Sequence, residues 1–387
     1  MVTFVEVNRE ALRHNVRAVL GELAAGTQLM AVVKANAYGH GLVEAARVFA
    51  QEGAQWLGVS TVGEGVALRE AGVEEPVLVF LPAVEDELEA LVQQRLTATV
   101  VGVAGLRELA VTAEKAGMQA ACHVYVDGGL SRVGGDDSLP DVLDAARAFP
   151  NVAVTGVYTH FGPPGSGKMF EEMDILREGG AVKVFSGLAR EAAGQADRGR
   201  LLVHAAASGM FVESLGMKKR EEAQLGMVRV GTLLYGQYPD HVKERPLELR
   251  EDTFALKSRI VAVHTVPAGA KVGYGGEFVC RRETRVATVP VGTAQGLGMV
   301  PQSVAGRTRS AVKAYLAGRE ARRGKSEHAA RATVAGKAAP IIGRISMDQC
   351  CLDVTEVTEA ALGTEVTLPV RRLAVDSGVP RVYVGDE

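Results

Sequence analysis

Residues 29–59, LMAVVKANAYGHGLVEAARVFAQEGAQWLGV, contain one complete structural repeat of this chain. A short apolar run comes first, and a polar, glycine-containing turn follows it at residues 34–41. Leu42–Gln51 then carries apolar residues at helical spacing, and a second apolar run starts at Trp56. This order predicts a strand, a helix and another strand, which is the βαβ unit of a parallel sheet.

The same alternation continues from residue 28 to about residue 231. Candidate strands begin near Leu29, Trp56, Val77, Thr97, Ala121, Val152, Leu201 and Met227. Helical stretches such as Val103–Gly117 and Leu139–Ala148 fall between them. Eight such repeats within roughly 200 residues predict an α/β fold, an N-terminal (β/α)8 barrel of the TIM type.

After Tyr235 the pattern changes to strand-like runs separated by Gly and Pro turns. These runs are Ala255–Val266, Arg285–Val291, Ile341–Ile345 and Glu365–Leu368. They predict a smaller C-terminal domain made mainly of β-strands. We therefore expect a barrel domain at residues 1–236 and a β domain at residues 237–387, joined through the polar stretch Gly236–Asp252.

Composition restricts the class of protein. A chain of 387 residues with 47% hydrophobic and 5% aromatic content fits a two-domain α/β enzyme. Its net charge of −3 provides no general attraction to nucleic acid or anionic lipid. No basic leader precedes an apolar run, and no run reaches the ~18 apolar residues of a membrane span. We expect a cytoplasmic protein with neither a membrane nor a nucleic-acid partner.

Two further features have a plain interpretation. The four cysteines, Cys122, Cys280, Cys350 and Cys351, lack C-x-x-C spacing, so we expect reduced thiols and no metal. An insertion at residues 301–338 is basic, because Arg307–Lys337 carries nine Lys or Arg against two Glu. We interpret it as a solvated excursion from a β-hairpin, with contact to a partner or nucleic acid as the alternative.

Lys34 stands at the C-terminal end of the first barrel strand. Active sites of such barrels lie at this face, and an apolar setting lowers the pKa of a lysine enough for it to form a Schiff base. Position alone also fits an ordinary rim lysine in a salt bridge. Further polar or glycine residues follow later strands, at Arg132, His160, Ser208, Arg229 and Gly231. Each alone could be a capping or salt-bridge group, but together they converge on one pocket, where Ser208 and Gly231–Thr232 can form a phosphate cup.

The segment VVKANAYGHG, together with MVRVGTLLYG, AGAKVGYGGEF and PIIGRISMDQ in the same order, resembles the alanine racemase family of fold-type III enzymes. The resemblance covers nearly the whole chain except residues 301–338 and the C-terminal end. It implies a pyridoxal 5'-phosphate (PLP) cofactor held by Lys34, with Tyr38 on the phosphate and His160 also at the cofactor. The implied activity is racemisation of an amino acid, first of all L-alanine to D-alanine for the cell wall, in a homodimer with shared active sites.

The resemblance also assigns Arg229 to the pyridine nitrogen of the cofactor. A guanidinium only donates hydrogen bonds, so that nitrogen stays largely unprotonated. The cofactor then withdraws electrons less strongly, which favours quick return of the proton and hence racemisation.

A two-base racemisation needs a second proton donor on the face opposite Lys34. By the resemblance this is Tyr274, contributed by the other subunit of the dimer. A phenol of ordinary pKa near 10 needs a basic neighbour, and His204 resembles that neighbour. Arg132, Met347 and Asp348 resemble the residues that receive the substrate carboxylate. Without the family, Tyr274 also fits a hairpin-turn tyrosine and His204 a buried core histidine.

Several positions depart from the family pattern, namely Tyr125, Ala207, Thr293, Gln295 and Ser377. Tyr125 replaces a carbamylated lysine that orients the arginine, and Ser377 stands where a phosphate-facing tyrosine is expected. These changes predict a larger substrate space, and therefore either use of larger amino acids such as serine, lysine and arginine or slow turnover of alanine. The alternatives are a PLP-dependent decarboxylase or lyase, and a racemase-like protein that binds PLP without turnover.

Overall fold

The computed structural model describes residues 1–128, 130–161, 201–218, 220–299 and 330–385. It divides into two compact units, one of Arg9–Thr253 and one of Met1–Asn8 with Phe254–Glu387. Most of the basic insertion, residues 300–329, lies outside the described residues. The end of the predicted insertion is regular structure, because β15 (Arg331–Val334) pairs with β16 (Lys337–Ile342) as a hairpin.

The unit of residues 9–253 is a closed parallel barrel, as predicted. Its strands are β2 (Gln28–Val32), β3 (Trp56–Val59), β4 (Val77–Val79), β5 (Thr97–Val100), β6 (Ala120–Tyr125), β7 (Val152–Tyr158), β8 (Leu202–Ala207) and β9 (Met227–Val230). The described α-helices are Arg9–Leu20, Leu42–Gln51, Val62–Glu70, Glu85–Gln93, Val103–Ala116, Leu139–Ala146, Ser208–Ser214 and Arg220–Gln224. Short apolar strands form the inside, and amphipathic helices such as Leu42–Gln51 bury one face against them.

The pairing of the strands shows where the barrel closes and which of the following segments become neighbours. Met30 on β2 pairs with Trp56 on β3 and with Arg229 on β9, so the first and last barrel strands are neighbours. The segments that follow them, starting at Lys34 and Gly231, therefore emerge side by side. Large side chains fill the interior, where Met30, Leu78, Tyr125, Tyr158 and Met227 form one buried cluster.

The other unit is built mainly of strands, as predicted. Its strands are β1 (Phe4–Asn8), β10 (Phe254–Arg259), β11 (Ala262–Val266), β12 (Lys271–Val272), β13 (Phe278–Val279), β14 (Thr284–Val289), β15, β16, β17 (Cys350–Asp353), β18 (Glu365–Leu368) and β19 (Arg381–Val384). Nine of them form one sheet in the order β11-β14-β17-β16-β15-β18-β10-β1-β19, and β12 and β13 form a separate pair. The core contains Val272, Phe278, Cys280, Val286 and Ile342.

One predicted strand is two. The run Ala255–Val266 breaks between β10 and β11 because the two halves pair with different strands. The Ile260 N–H donates to the Thr364 carbonyl, beside β18, whereas the Val261 N–H donates to the Thr288 carbonyl of β14. The chain changes partner between these two residues.

The bounds of the units differ from a division at residues 236 and 237 in two places. The first eight residues belong to the β unit, because β1 pairs antiparallel with β10 and parallel with β19. The polar stretch after Tyr235 belongs to the barrel unit up to Thr253. Asn15 fixes it there, since its side chain donates to the Arg250 carbonyl at 2.9 Å and accepts from the Arg250 N–H at 2.7 Å.

Among the residues described, no helix is both long and apolar enough to cross a membrane. No group of three or more His, Cys, Asp or Glu in the same residues is arranged to hold a metal ion. All four cysteines are unpaired, and burial raises the pKa of Cys122 and of Cys350 to about 12.

Candidate active site

A cavity of about 380 Å³ lies in the barrel unit, at the ends of strands β2, β7, β8 and β9. Its walls include eight residues singled out from the sequence: Lys34, Tyr38, Arg132, His160, Ser208, Arg229, Gly231 and Thr232. The C-terminal ends of the parallel strands bring these side chains to one face of the barrel. Residues more than 190 positions apart in the sequence therefore share one pocket.

Lys34 lies two residues after the end of β2 and is half buried. The N–H of Val33 before it donates to the Gly58 carbonyl, which continues the ladder and fixes where the lysine leaves the barrel. Its Nζ lies 5.9 Å from the centre of the Phe80 ring. Burial lowers the pKa of Lys34, and the charges of Arg132 and Arg229 lower it further, against an opposing effect of Glu64. The amine is thereby more nucleophilic near neutral pH than a surface lysine.

A left-handed turn follows Lys34. Residues 35–38 all have φ between 52° and 53°, although none is glycine. This conformation is costly for side chains with a Cβ and persists only where surrounding contacts impose it. Asn36 provides such contacts, because its Oδ1 accepts from the Leu42 N–H at 2.8 Å and its own N–H donates to Glu64 Oε1 at 3.3 Å. The turn directs Tyr38 back into the cavity.

Hydroxyl groups gather around Gly231. A Cβ at Gly231 would lie 2.4 Å from Tyr38 Oη, so only glycine permits this approach. The Gly231 N–H donates to Ser208 Oγ at 3.1 Å. The Thr232 Oγ1 is buried without a hydrogen-bond partner among the described residues. Three hydroxyls and a close backbone thus converge at one end of the cavity, which suits a bound phosphate.

Arg229 is buried on β9 and held from several sides. Its Nη2 donates to the carbonyls of Thr159 at 2.7 Å and Ala205 at 3.0 Å, and its guanidinium lies 5.3 Å from the centre of the Tyr158 ring. No carboxylate in the described ranges pairs with it. Burial lowers the pKa of Arg229 to about 10, so the group stays charged at neutral pH.

His204 has a different place from the one expected. Arg229 Nη1 can only donate, so His204 Nδ1 accepts from it at 2.9 Å. The neutral ring then carries its proton on Nε2 and donates it to His123 Nδ1, also at 2.9 Å. Burial, Arg229 and His123 hold the pKa of His204 well below its usual range. With both nitrogens engaged inside the barrel, His204 positions Arg229 and is not free to pair with Tyr274.

Three other groups line the cavity around Lys34. His160 lies with its Nδ1 3.5 Å from Arg229 Nη2, and burial lowers its pKa to about 3. Tyr125 is buried at the end of β6, and burial raises its pKa. Arg132 is exposed in a loop organised by Asp127, whose carboxylate accepts from the N–H of Ser131. The cavity therefore has two arginines, one fixed and one at its solvent side.

The candidates of the β unit lie on neighbouring turns. Gly273, next to Tyr274, approaches the Arg344 backbone so closely that a Cβ would be 3.1 Å from its nitrogen. Tyr274 is 68% exposed and Met347 is 74% exposed. Asp348 is also exposed and accepts from Ser346 Oγ at 3.2 Å. These side chains share one rim of the unit and are largely unburied.

The positions that depart from the family pattern lie in both units. Tyr125 and Ala207 line the barrel cavity. Thr293 and Gln295 belong to a 3-10 turn, whose Ala294 N–H donates to the Met347 carbonyl at 2.8 Å. Gln295 also lines a second cavity of about 400 Å³, together with the residues on either side of exposed Ser377.

Several residues in or next to the barrel cavity were not predicted from the sequence, among them His123, Glu64 and His241. His123 lies two positions before Tyr125 on β6, so strand alternation points both inward. Glu64 stands three positions after Thr61, in the pattern of a helix capping box. His241 lines the cavity from the polar stretch after Tyr235, and no local pattern in the sequence marks it.

Comparison with known proteins agrees with this architecture. The alanine racemase N-terminal domain matches residues 7–239, and the alanine racemase C-terminal domain matches residues 253–376. Alanine racemase 1 of Caldanaerobacter subterraneus is 32% identical over 371 residues, which cover 95% of this chain and 85% of that protein. Alanine racemase of Desulforamulus reducens is 30% identical over 404 residues, covering 99% of each chain.

A solved structure has the same fold. An alanine racemase of Clostridium difficile superposes with a TM-score of 0.81 at 24% identity, covering 100% of this chain and 96% of that one. With both domain models and these relatives matched, the chain belongs to the alanine racemase family.

Proposed function

We propose that this protein is a PLP-dependent racemase that interconverts the enantiomers of an amino acid, with alanine as the first expected substrate. One observation carries the proposal: a lysine of lowered pKa shares a cavity with a cluster of hydroxyl groups around Gly231 and with a buried arginine. The names of the matched relatives support alanine as the substrate.

The residues of the cavity fit the cofactor. The buried Thr232 hydroxyl lacks a partner within the described residues, and Gly231 leaves the space that a Cβ would fill. Ser208, Thr232 and Tyr38 would hold the phosphate, Arg229 the pyridine nitrogen and Lys34 the aldehyde carbon. Bound PLP supplies an electron-withdrawing ring that stabilises negative charge at the substrate α-carbon.

Arg229 would tune that ring. Its charge and its donor-only chemistry would keep the pyridine nitrogen largely unprotonated. The carbonyls of Thr159 and Ala205 and the ring of His204 fix the guanidinium in one orientation. Arg229 held in this way would favour quick return of the α-proton over long-lived side reactions.

Lys34 moves the proton on one face of the substrate. Burial and the two nearby arginines favour its neutral amine, which is the form that accepts a proton. Arg132, at the solvent side of the cavity, would bind the substrate carboxylate. His160 lines the cavity as a neutral ring and would pack beside the cofactor.

Tyr274 would move the proton on the opposite face, presented by the β unit of a second copy in a homodimer. Its exposure on a turn, beside exposed Met347 and Asp348, supports this role. Met347 and Asp348 would complete the carboxylate site. With His204 engaged elsewhere, the basic partner of Tyr274 must be another group.

NMR of the PLP-loaded protein with separate L-amino acids in D2O tests the proposal. We expect the α-proton signal of alanine to disappear while the D-enantiomer accumulates on a chiral column. Loss of the α-proton without the D-enantiomer would indicate a different PLP reaction. A protein that binds PLP on Lys34 but exchanges no α-proton would be a binding protein without turnover.

Larger amino acids are the second candidate substrates, because several positions depart from the family pattern toward smaller side chains. Ser377 is small and exposed beside the cavity that Gln295 lines, so this region has few bulky side chains. A panel comparing kcat/KM for alanine, serine, lysine and arginine separates the two candidates. A value for alanine far above the other three rejects the enlarged substrate space.

A further inference from the structure

We propose that His241 is a further binding residue for the phosphate group of the cofactor, covering that end of the barrel cavity. The inference rests on the proposed function, because it assumes that PLP occupies this cavity. It assigns a role to the polar stretch after Tyr235, which the structure places on the barrel unit.

His241 reaches the cavity from outside the barrel strands. It lies in a turn that contributes Pro239 and His241 to the cavity wall. Its ring lies directly over Gly209, where an added Cβ would be 2.5 Å from His241 Nε2. A side chain at position 209 would therefore push the ring away.

A short chain of contacts leads from His241 to the phosphate cup. Gly209 directly follows Ser208, whose Oγ accepts from the Gly231 N–H. Gly231 is approached by Tyr38 Oη and is followed by Thr232 with its buried, unpartnered hydroxyl. The imidazole thus lies at the hydroxyl-rich end of the cavity.

Apart from His241, the donors that the described residues place at that end of the cavity are hydroxyls and backbone N–H groups. Arg229 is committed to two carbonyls and to His204. Ser208, Thr232 and Tyr38 offer neutral hydroxyls only. Within the described residues the His241 ring makes no hydrogen bond or ion pair, so a ring N–H is available to a ligand. An imidazolium donating to a phosphate oxygen makes a charge-assisted hydrogen bond, which is stronger than a neutral one.

The test compares PLP with pyridoxal, which lacks the phosphate. Purified apo-protein is titrated with each compound, and binding is followed by absorbance and by ³¹P NMR of bound PLP. His241→Ala should weaken PLP binding about tenfold and move the ³¹P resonance, because one charge-assisted bond is lost. Binding of pyridoxal should not change. Lys243→Ala, an exposed cation of the same stretch that does not line the cavity, is the matched control and should bind PLP normally.

Gly209→Ala gives an independent route to the same contact. The added methyl should displace the His241 ring and reproduce the loss of PLP affinity while helix 208–214 is retained. Combined with His241→Ala it should cause no further loss, because both changes remove one interaction.

The outcomes separate the two proposals. If wild-type protein binds no PLP, the proposed function fails and this inference fails with it. If wild-type protein binds PLP and His241→Ala binds it equally tightly with an unchanged ³¹P resonance, only the role of His241 is overturned. An equal loss of PLP and pyridoxal affinity also overturns it, because the effect would not depend on the phosphate.

Discussion

The cavity of the barrel unit and the rim of the β unit carry candidate residues in opposite states. In the barrel, Arg229 and His204 are buried and every contact that orients them lies within the unit. On the β unit, Tyr274 and Met347 stand on turns and expose most of their surface. One region is a cavity lined by side chains that are already held in place, and the other presents side chains outward.

This difference separates two tasks. A cofactor that stays bound through many reactions needs fixed donors, because each loose group costs binding energy and precision. A proton donor for the opposite face must meet a substrate that enters and leaves, so an exposed side chain at a rim suits it. We infer that the barrel alone defines cofactor binding and that the β unit acts only on turnover.

Among the replacements in the barrel unit, that of Lys34 should cause the largest loss of activity. Lys34→Ala removes the amine that we propose holds PLP and acts as one of the two bases, so kcat should fall by at least about 10⁴-fold. Borohydride reduction followed by peptide mass spectrometry should then find no cofactor on the chain. Continued covalent labelling of this variant would place the cofactor on another lysine.

Replacing Tyr274 in the β unit should affect turnover and leave cofactor binding unchanged. Tyr274→Phe removes a proton donor but no contact of the cavity, so kcat should fall about 10² to 10³-fold while PLP affinity stays unchanged. The isotope effect of α-deuteration on the rate should change by different amounts in the two directions, from the L-enantiomer and from the D-enantiomer. A loss of PLP affinity as large as the loss of kcat would contradict the division of tasks.

Shortening Arg229 should have a moderate effect on both stability and rate. Arg229→Lys leaves buried carbonyls of Thr159 and Ala205 without full partners, which should cost about 2 kcal/mol of unfolding free energy. The rate should fall about tenfold, because the proposed donor to the pyridine nitrogen is misplaced. The matched control is Arg69→Lys: Arg69 also donates to backbone carbonyls of the barrel unit but lies outside the cavity walls. It should lose stability and keep its activity.

The smallest effect concerns acid stability. Burial lowers the pKa of His123 to about 3, below its ordinary value, so at pH 5 the unfolded chain binds a proton that the folded chain does not. Folding is therefore weakened as the pH falls below about 6.5, by up to about 1.4 kcal/mol per pH unit for each such histidine. In urea titrations from pH 7 to pH 5, His123→Gln should show a shallower decline than wild type.

The control for that experiment is half-buried His14, which bonds the Glu248 carbonyl at the surface of the same unit. His14→Gln should leave the pH dependence as it is in wild type. An identical slope in His123→Gln and wild type would show that the buried histidine is not the source of the effect.

Much of the fold could be predicted, because each barrel repeat carries its own local signal. The starts predicted for the eight barrel strands all fall within one residue of the observed ones, and the helix predicted at Leu42–Gln51 has those bounds. Partner choice is not local. Residues 254–266 divide into β10 and β11 because the two strands pair with different distant strands. Likewise, β1 belongs to the β unit because it pairs with β10, which is far away in the chain.

The candidate site shows the same limit. Strand ends predicted that Lys34, Ser208 and Arg229 would meet, because a parallel barrel places them at one face. The engagement of both His204 nitrogens depends on His123, a residue 81 positions away, and could not be read from the segment HAAASG. The left-handed turn at residues 35–38 also has no simple sequence signal, since none of the four is glycine.

The measurement that tests the shared site most directly is complementation between two inactive variants. Lys34→Ala and Tyr274→Phe are unfolded together, refolded as a mixture and assayed for alanine racemisation with PLP present. If Tyr274 of one copy serves Lys34 of another, a mixed dimer holds one intact site, and random mixing should restore about a quarter of wild-type activity. If both bases of each site come from a single chain, every site in the mixture lacks one of them and activity should stay at the level of the separate variants.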